Sequence, residues 1–320
     1  MEGGFKMGTP DLTLLRKALD EGDLTSLYHL RDISEVLINL VDYQNPFRQM
    51  LPRRPGQGEG YVARTRTAGT TLAEDVNDTD SFAEETGSYS EVYFPYRTIG
   101  TQGKVSRRVQ KTGRLFSDLL ADEMGAKAMD IRDREEHRTI WGNTPTINAK
   151  QILGLNYSTT NNTGQIVGST TAGSLTLTKM DEVIDKVITN PNPNVILTSR
   201  AGARKINAAL QAQQRFIDKV EVPGGFKVNS YNGIPIIKST TIPDTLTMST
   251  GGTVSALTAG TFTCLFVVDF NHVFMSVLEE LTMMPLARRS SQFVEFDIFE
   301  DLALVVRDYR AVSQYYFWAA

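Results

Sequence analysis

The residues that most often bind metals or act as nucleophiles are few and widely separated in this sequence. It contains one cysteine, Cys264, and three histidines, His29, His137 and His272. A single cysteine excludes an intramolecular disulfide and a multi-cysteine metal site. Cys264 also lies in an apolar stretch, where a buried and unreactive thiol is expected. The sequence has no Walker A, nucleophile-elbow or His-Glu-x-x-His motif either. We therefore predict no catalytic residue, no metal site and no cofactor.

Paired carboxylates, which could perform acid–base chemistry, occur at Glu135-Glu136, Glu279-Glu280 and Glu300-Asp301. Adjacent residues on a helix point about 100° apart, so neighbours in sequence do not face one substrate together. The first pair lies in a segment with helical periodicity. We predict that it forms part of a solvated helix face and not a catalytic pair.

Two clusters of like charge could serve binding. The first has four basic residues within eight positions: Arg107, Arg108, Lys111 and Arg114. It is interpreted either as a solvated face or as a contact with another subunit or with nucleic acid. The second runs from 74 to 91 and has seven acidic residues and no basic one: Glu74, Asp75, Asp78, Asp80, Glu84, Glu85 and Glu91. Such an acidic segment favours solubility or binds arginines.

The composition is that of an ordinary globular protein. Lys plus Arg is 33 and Asp plus Glu is 37, which gives a net charge of −4, and 41% of residues are hydrophobic. This balance argues against a protein whose main task is to bind phosphate backbones, because such domains are strongly basic. No apolar run approaches the roughly 18 residues of a membrane span, and no signal-peptide pattern follows Met1. We expect a soluble intracellular product with two compact units or one large elaborated unit.

The first 108 residues are predicted to form two projections. Residues 1–58 contain two short helical segments, Leu12–Ala18 and Ser34–Val41, which are too short to be stable alone and need another surface to lie on. From Gly58 onward, Tyr61–Thr67 and Val92–Arg97 are rich in strand-forming residues and predict a long antiparallel hairpin with the acidic segment at its tip. A two-stranded hairpin buries little of its own surface, so it also needs a partner.

A long helix and an α/β region are predicted to follow. Leu115–Trp141 has an apolar stripe at helical spacing and ends at Gly142, and at 1.5 Å per residue it is roughly 40 Å long. Beyond it, buried strands are predicted at 194–198, 233–237 and 262–270, a helix begins after Ser199, and 293–317 is predicted to be extended.

This order of parts resembles the major capsid proteins of tailed bacteriophages, the family with the HK97-like fold. The resemblance is carried by Val105–Arg108 leading into the helix, by Asn194–Ser199, by Gly233–Ser239 and by Leu265–Phe270. It implies an α+β fold with an N-terminal arm (1–58) and an extended β-hairpin loop (59–108). A peripheral domain with a long spine helix (109–145 and 286–320) and an α/β axial domain (146–285) complete it.

The resemblance implies a structural protein whose hexamers and pentamers form an icosahedral shell around double-stranded DNA. It implies no enzymatic activity, weak contact with the packaged DNA, no membrane, a location in the virion and synthesis in the host cytoplasm. Cement, scaffolding and portal proteins are left open as partners. Candidate intersubunit contacts are Arg64, Arg66, Glu84, Glu85, Arg107, Arg108, Arg132, Arg134 and Arg138. The alternatives are an encapsulin-type compartment shell and an α/β enzyme with a β-rich appendage.

Overall fold

The structure is a computed structural model of the 320-residue chain. The residues it describes are 45–67, 75, 77–78, 88–113, 119–142, 150–167, 173–212, 219–222, 226–246, 262–286 and 292–318. The two helices predicted in the arm, the N-terminal end of the predicted spine helix and most of the acidic segment, including Glu84 and Glu85, lie outside these residues.

A seven-stranded sheet, counted over the described residues, forms the larger half of the molecule. Its order is β5-β13-β10-β6-β9-β8-β7. The strands are β5 (Ile166–Val167), β6 (Val195–Thr198), β7 (Lys219–Val222), β8 (Phe226–Tyr231), β9 (Ile234–Lys238), β10 (Phe262–Val268) and β13 (Val312–Trp318). The central strands β6 and β10 are buried along their whole length, as expected for continuous apolar runs covered on both faces.

Alternate residues of these central strands enter two different cores. Leu265 and Val267 pack with Met180 of α5 (Leu177–Asp185) and Ile206 of α6 (Arg200–Ala212). Cys264 and Phe266 point to the opposite face and pack with residues from the rest of the chain. The side-chain period of two along a strand produces this division.

A four-stranded sheet with the order β1-β11-β12-β4 forms the second half. Its strands are β1 (Arg53–Pro55), β4 (Arg97–Ser106), β11 (Val273–Pro285) and β12 (Phe293–Val306). Apolar residues of β11 and β12 belong to the same core as Cys264 and Phe266, so the two sheets share a core. The remaining described helices are α1 (Pro46–Met50), α2 (Arg107–Gly113), α3 (Leu119–Trp141) and α4 (Leu155–Asn161).

The predicted hairpin is present, with β2 (Gly60–Thr67) antiparallel to β3 (Ser88–Pro95). The pairing runs from Gly60 opposite Pro95 to Thr67 opposite Ser88. Ala63 and Phe94 anchor the base of the hairpin by packing with Phe274 and Val305 of the four-stranded sheet.

Three strands pair with strands that lie outside the predicted domain containing their own residues. β4 falls in the predicted extended loop but pairs with β12. β11 falls in the predicted axial domain but also pairs with β12, whereas β13 falls in the predicted peripheral domain but pairs with β10. The chain passes between the sheets through the short connections 269–272 and 307–311. Apolar runs on either side of such a connection carry no local signal of which sheet each one joins.

The helix α3 ends at Trp141 as predicted, and Gly142 follows it. Gly142 does not have the positive φ typical of a glycine that follows a helix. It lies in close contact with the segment 152–154, and a Cβ atom at this position would be 2.1 Å from the Ile152 carbonyl oxygen and 2.4 Å from that of Arg138. The glycine therefore permits a close backbone approach.

We predict that Gly142→Ala destabilises the subunit by about 1–3 kcal/mol, because the added methyl group forces two backbone segments apart. Gly125 in the same helix is the matched control, since a Cβ atom there meets nothing within 4 Å. Gly125→Ala is expected to stabilise the subunit by about 0.5–1 kcal/mol through helix propensity. Urea unfolding of both variants tests this, and equal effects of the two substitutions would contradict it.

Candidate assembly interface

The base of the N-terminal arm is packed onto its own chain. Phe47 of α1 is fully buried, Leu51 is nearly so, and both belong to the main core. β1 then pairs parallel with β11, with Arg53 opposite Met275. The described part of the predicted arm, residues 45–58, therefore lies on its own subunit.

Two arginines of this arm base converge on a buried glutamate of α3. Arg48 Nε donates to Oε2 of Glu135, and Arg53 Nη1 donates to Oε1 of Glu135 at 2.6 Å. Arg53 also reaches Glu280 of β11 at 3.1 Å. The side chain of Glu135 is 1% exposed, whereas those of Arg48 and Arg53 are 21% and 23% exposed. Burial alone would lower the pKa of Arg53, but Glu135 and Glu280 raise it above its ordinary value.

The next residue, Glu136, is also buried and binds a different segment. Its Oε1 accepts a hydrogen bond from Ser239 Oγ at 2.5 Å, and its Oε2 accepts one from the backbone N–H of Arg48 at 3.3 Å. Burial raises the pKa of Glu136, although these donors act in the opposite direction.

The prediction that Glu135-Glu136 lies on a solvated helix face is therefore wrong. The arm base and the segment around Ser239 cover this part of the helix, and both are distant in sequence. A signal was present: Glu135 follows Ile131 by four residues and so continues the predicted apolar stripe. Two arginines in the preceding arm could have supplied the charge that such a buried position needs.

The same stretch of the helix also carries basic side chains that are not fully buried, on more than one side of it. Arg132, Arg134 and His137 are exposed and Arg138 is half-buried. Within the described residues, no carboxylate forms an ion pair with any of the three arginines. Desolvation and the charge of Arg134 lower the pKa of Arg138, and desolvation together with Arg138 and Arg134 lowers the pKa of His137. We call these four residues the basic ridge.

The hairpin presents an exposed face of cross-strand pairs. Arg64 forms an ion pair with Glu91 at 3.0 Å, and the guanidinium of Arg66 lies 5.9 Å from the centre of the Tyr89 ring. Val62 and Tyr93 form a third pair on this face. Tyr89 is 72% exposed and Tyr93 is 50% exposed, which is more than is usual for aromatic side chains.

Two further candidate residues that the structure describes belong neither to the hairpin pairs nor to the basic ridge. Arg107 and Arg108 are exposed at the start of α2, directly after β4. Glu84 and Glu85 lie outside the described residues. The described candidate residues thus lie in three parts of the chain: the hairpin, the start of α2 and the basic ridge.

No arrangement typical of metal binding, or of a membrane span, occurs in the described ranges. No group of three or more His, Cys, Asp and Glu side chains is placed to hold a metal ion there. No helix in the described part of the chain is long and apolar enough to cross a membrane. Cys264 is fully buried, and burial raises the pKa of its thiol.

A sequence model of the SU10 major capsid protein family matches residues 17–314. The chain belongs to this family. No curated protein matches it by sequence search. This match covers most of the chain, and it confirms the resemblance to tailed-phage capsid proteins.

Solved structures show the same fold at low sequence identity. The cyanophage A-1(L) capsid matches with a TM-score of 0.66 at 13% identity, covering 91% of this chain and 97% of that one. The capsid of a native GTA particle matches with a TM-score of 0.65 at 14% identity, covering 94% and 98%. The SrpI encapsulin of Synechococcus elongatus PCC 7942 matches with a TM-score of 0.65 at 13% identity, covering 91% and 94%. The α+β, HK97-like fold class is thus confirmed.

Removing the charge of Glu135 is predicted to destabilise the subunit, because two guanidinium groups then lose their buried partner. We expect Glu135→Gln to reduce the free energy of unfolding by about 3 kcal/mol, the lower end for a broken buried ion pair, since both arginines are partly solvated.

Asp130→Asn is the control for this prediction. Asp130 lies on the same helix and forms a surface pair with Lys127 at 3.4 Å, so its loss is expected to cost about 0–1 kcal/mol. Urea unfolding measures both variants. A loss for Glu135→Gln no larger than that for Asp130→Asn would contradict a structural role for the buried pair.

Proposed function

We propose that this chain is the major capsid protein of a tailed bacteriophage and assembles as hexamers and pentamers into an icosahedral shell around double-stranded DNA. The family match over residues 17–314 carries the proposal. Its role is structural and not enzymatic, and its place is the virion, after synthesis in the host cytoplasm. Cement, scaffolding and portal proteins are further candidate partners.

The exposed hairpin supports self-assembly on physical grounds. Val62, Tyr89, Val92 and Tyr93 expose between 43% and 72% of their surface on a two-stranded ribbon. A projecting apolar and aromatic surface of this kind is typical of a protein interface. A second copy of the chain is the partner that a shell protein always has available.

We propose the following division of the chain, which follows the pairing of the strands. The peripheral domain comprises α3 and the four-stranded sheet, including β4 and β11. The axial domain comprises the seven-stranded sheet with α5 and α6, including β13. The extended loop is then the hairpin β2–β3 alone.

We further propose that the acidic segment 74–91 of one subunit contacts the basic ridge of a neighbour. The two surfaces have opposite charge, and the arginines of the ridge have no ion-pair partner within the described residues of their own subunit. Exposed ion pairs contribute only about 0–1 kcal/mol each, so such a contact matters through its repetition over the shell. The net charge of −4 also disfavours strong binding of the shell to packaged DNA.

An encapsulin-type shell is the second candidate, because the SrpI encapsulin has the same fold. The family match favours the phage capsid. Negative-stain microscopy of the expressed chain tests assembly, and closed shells or capsomers are expected. A small monomer at high concentration would contradict both shell proposals and favour the enzyme alternative. Nuclease-protected DNA in native particles supports the phage capsid, whereas an enclosed protein cargo without DNA would support the encapsulin.

Charge reversal tests the contact between the acidic segment and the basic ridge. Glu84→Lys with Glu85→Lys is expected to slow assembly several-fold at low salt, because the tip then repels the arginines. Adding Arg134→Glu and Arg138→Glu is expected to restore the rate. Light scattering at low and high salt measures it.

The control is Arg204→Glu, an exposed residue of α6 far from the ridge in sequence. When Arg204→Glu is combined with Glu84→Lys and Glu85→Lys, the assembly rate should not be restored. If the lysine variant assembles at the wild-type rate at both salt concentrations, the contact does not exist.

A further inference from the structure

Glu300 of β12 is a buried carboxyl group without a hydrogen-bond partner among the described residues. It is 0% exposed, and neither of its carboxyl oxygens is hydrogen-bonded there. Phe296 and Ile298 precede it on the same face of the strand and pack against Ile131 of α3. Glu300 occupies the next position on this face of the strand, two residues after Ile298. Glu135 likewise occupies the next inward position on the helix, one turn after Ile131. The two glutamates therefore lie on facing surfaces of the strand and the helix.

The charges around Glu300 do not balance if every group is ionised. The groups that face it are Glu135 of α3, Arg48 of α1, Arg53 of β1 and Glu280 of β11. Glu135 occupies both arginines at short range, and Glu280 accepts from Arg53 at 3.1 Å, so Glu300 has only a 3.9 Å approach to Arg53. Three carboxylates then share two guanidinium groups. The cluster is neutral only when one carboxyl keeps its proton.

The proton belongs on Glu300, because this group is the most deeply buried and the least hydrogen-bonded of the three. Burial, followed by the charge of Glu135, raises its pKa from the ordinary value of 4.5 to about 8, although Arg48 and Arg53 act in the opposite direction. A carboxyl group with a raised pKa in the folded state stabilises that state at low pH. Stability is then lost as the pH rises from about 4.5 to about 8, and it levels off above.

We propose that this arginine–glutamate cluster is a pH-sensitive latch that holds the base of the N-terminal arm. With Glu300 neutral, Arg48 and Arg53 are held by Glu135 and Glu280, and the segment Pro46–Pro55 is seated on α3 and β11. When Glu300 loses its proton, an uncompensated negative charge lies beneath the helix. The arm base is then released more often, since water can reach the carboxylate only when this segment lifts. The inference does not depend on the proposed function, because all five groups belong to one chain.

Trypsin cleavage of the full chain tests the latch, because Arg48–Gln49 and Arg53–Arg54 are cleavable bonds that the seated arm base protects. The rate at these bonds is compared between wild type and Glu300→Gln from pH 6 to pH 9 by mass spectrometry. Both proteins experience the same pH dependence of the protease, so the ratio of rates reports the latch. The ratio of wild type to variant is expected to rise by up to about tenfold per pH unit until about pH 8, then to level off.

Glu59→Gln, an exposed residue, is the matched control, and its profile should follow wild type. Should Glu300→Gln fail to fold, Glu280→Gln serves as the second variant, since the side chain of Glu280 is 66% exposed. Loss of that charge makes ionisation of Glu300 easier, so the rate of cleavage at the two bonds should level off at a lower pH than in wild type. The proposal is overturned if the ratio of wild-type to Glu300→Gln cleavage rates does not change with pH. Where Glu300→Gln does not fold, it is overturned if the pH profile of Glu280→Gln cleavage equals that of wild type.

Discussion

The architecture depends on how one helix of mixed composition is fixed to a sheet. Along α3, Ile131 packs on Phe296 and Ile298, and one turn later Glu135 occupies the equivalent inward position. A carboxylate can be buried there only because Arg48 and Arg53 neutralise it. The arm base must therefore fold back onto its own helix. This contact joins the arm, the helix and the four-stranded sheet before any second subunit is present.

Fixing the arm base in this way determines which surfaces remain for association. The hairpin is anchored at its base, through Ala63 and Phe94, and its outer face exposes Tyr89 and Tyr93. The helix also presents exposed arginines, while two of its acidic residues, Glu135 and Glu136, are buried inside the subunit. These two carboxylates are therefore not available at the surface to neutralise the basic ridge.

Features that depend on local pattern were predictable from the sequence, and features that depend on distant partners were not. The hairpin pairing, the end of the spine helix at Trp141 and the buried strands follow from strand-forming residues, a terminal glycine and apolar runs. The burial of Glu135 depends on an arginine 87 positions away. The assignment of β11 and β13 to sheets depends on how two short connections turn. The candidate contacts stay a prediction, and the sequence could not show how those on the helix and those on the hairpin are arranged in space.

The buried and the exposed charges of α3 respond to different solution conditions, because solvent reaches only the exposed ones. Around the buried Glu135 and Glu136, salt screens the charges little because water is excluded. Arg132 and Arg134 are exposed, so salt screens their interactions with a partner. On the two proposals made above, one helix couples subunit integrity to pH and subunit association to ionic strength, through different residues. A change of solution conditions can then act on one response while leaving the other in place.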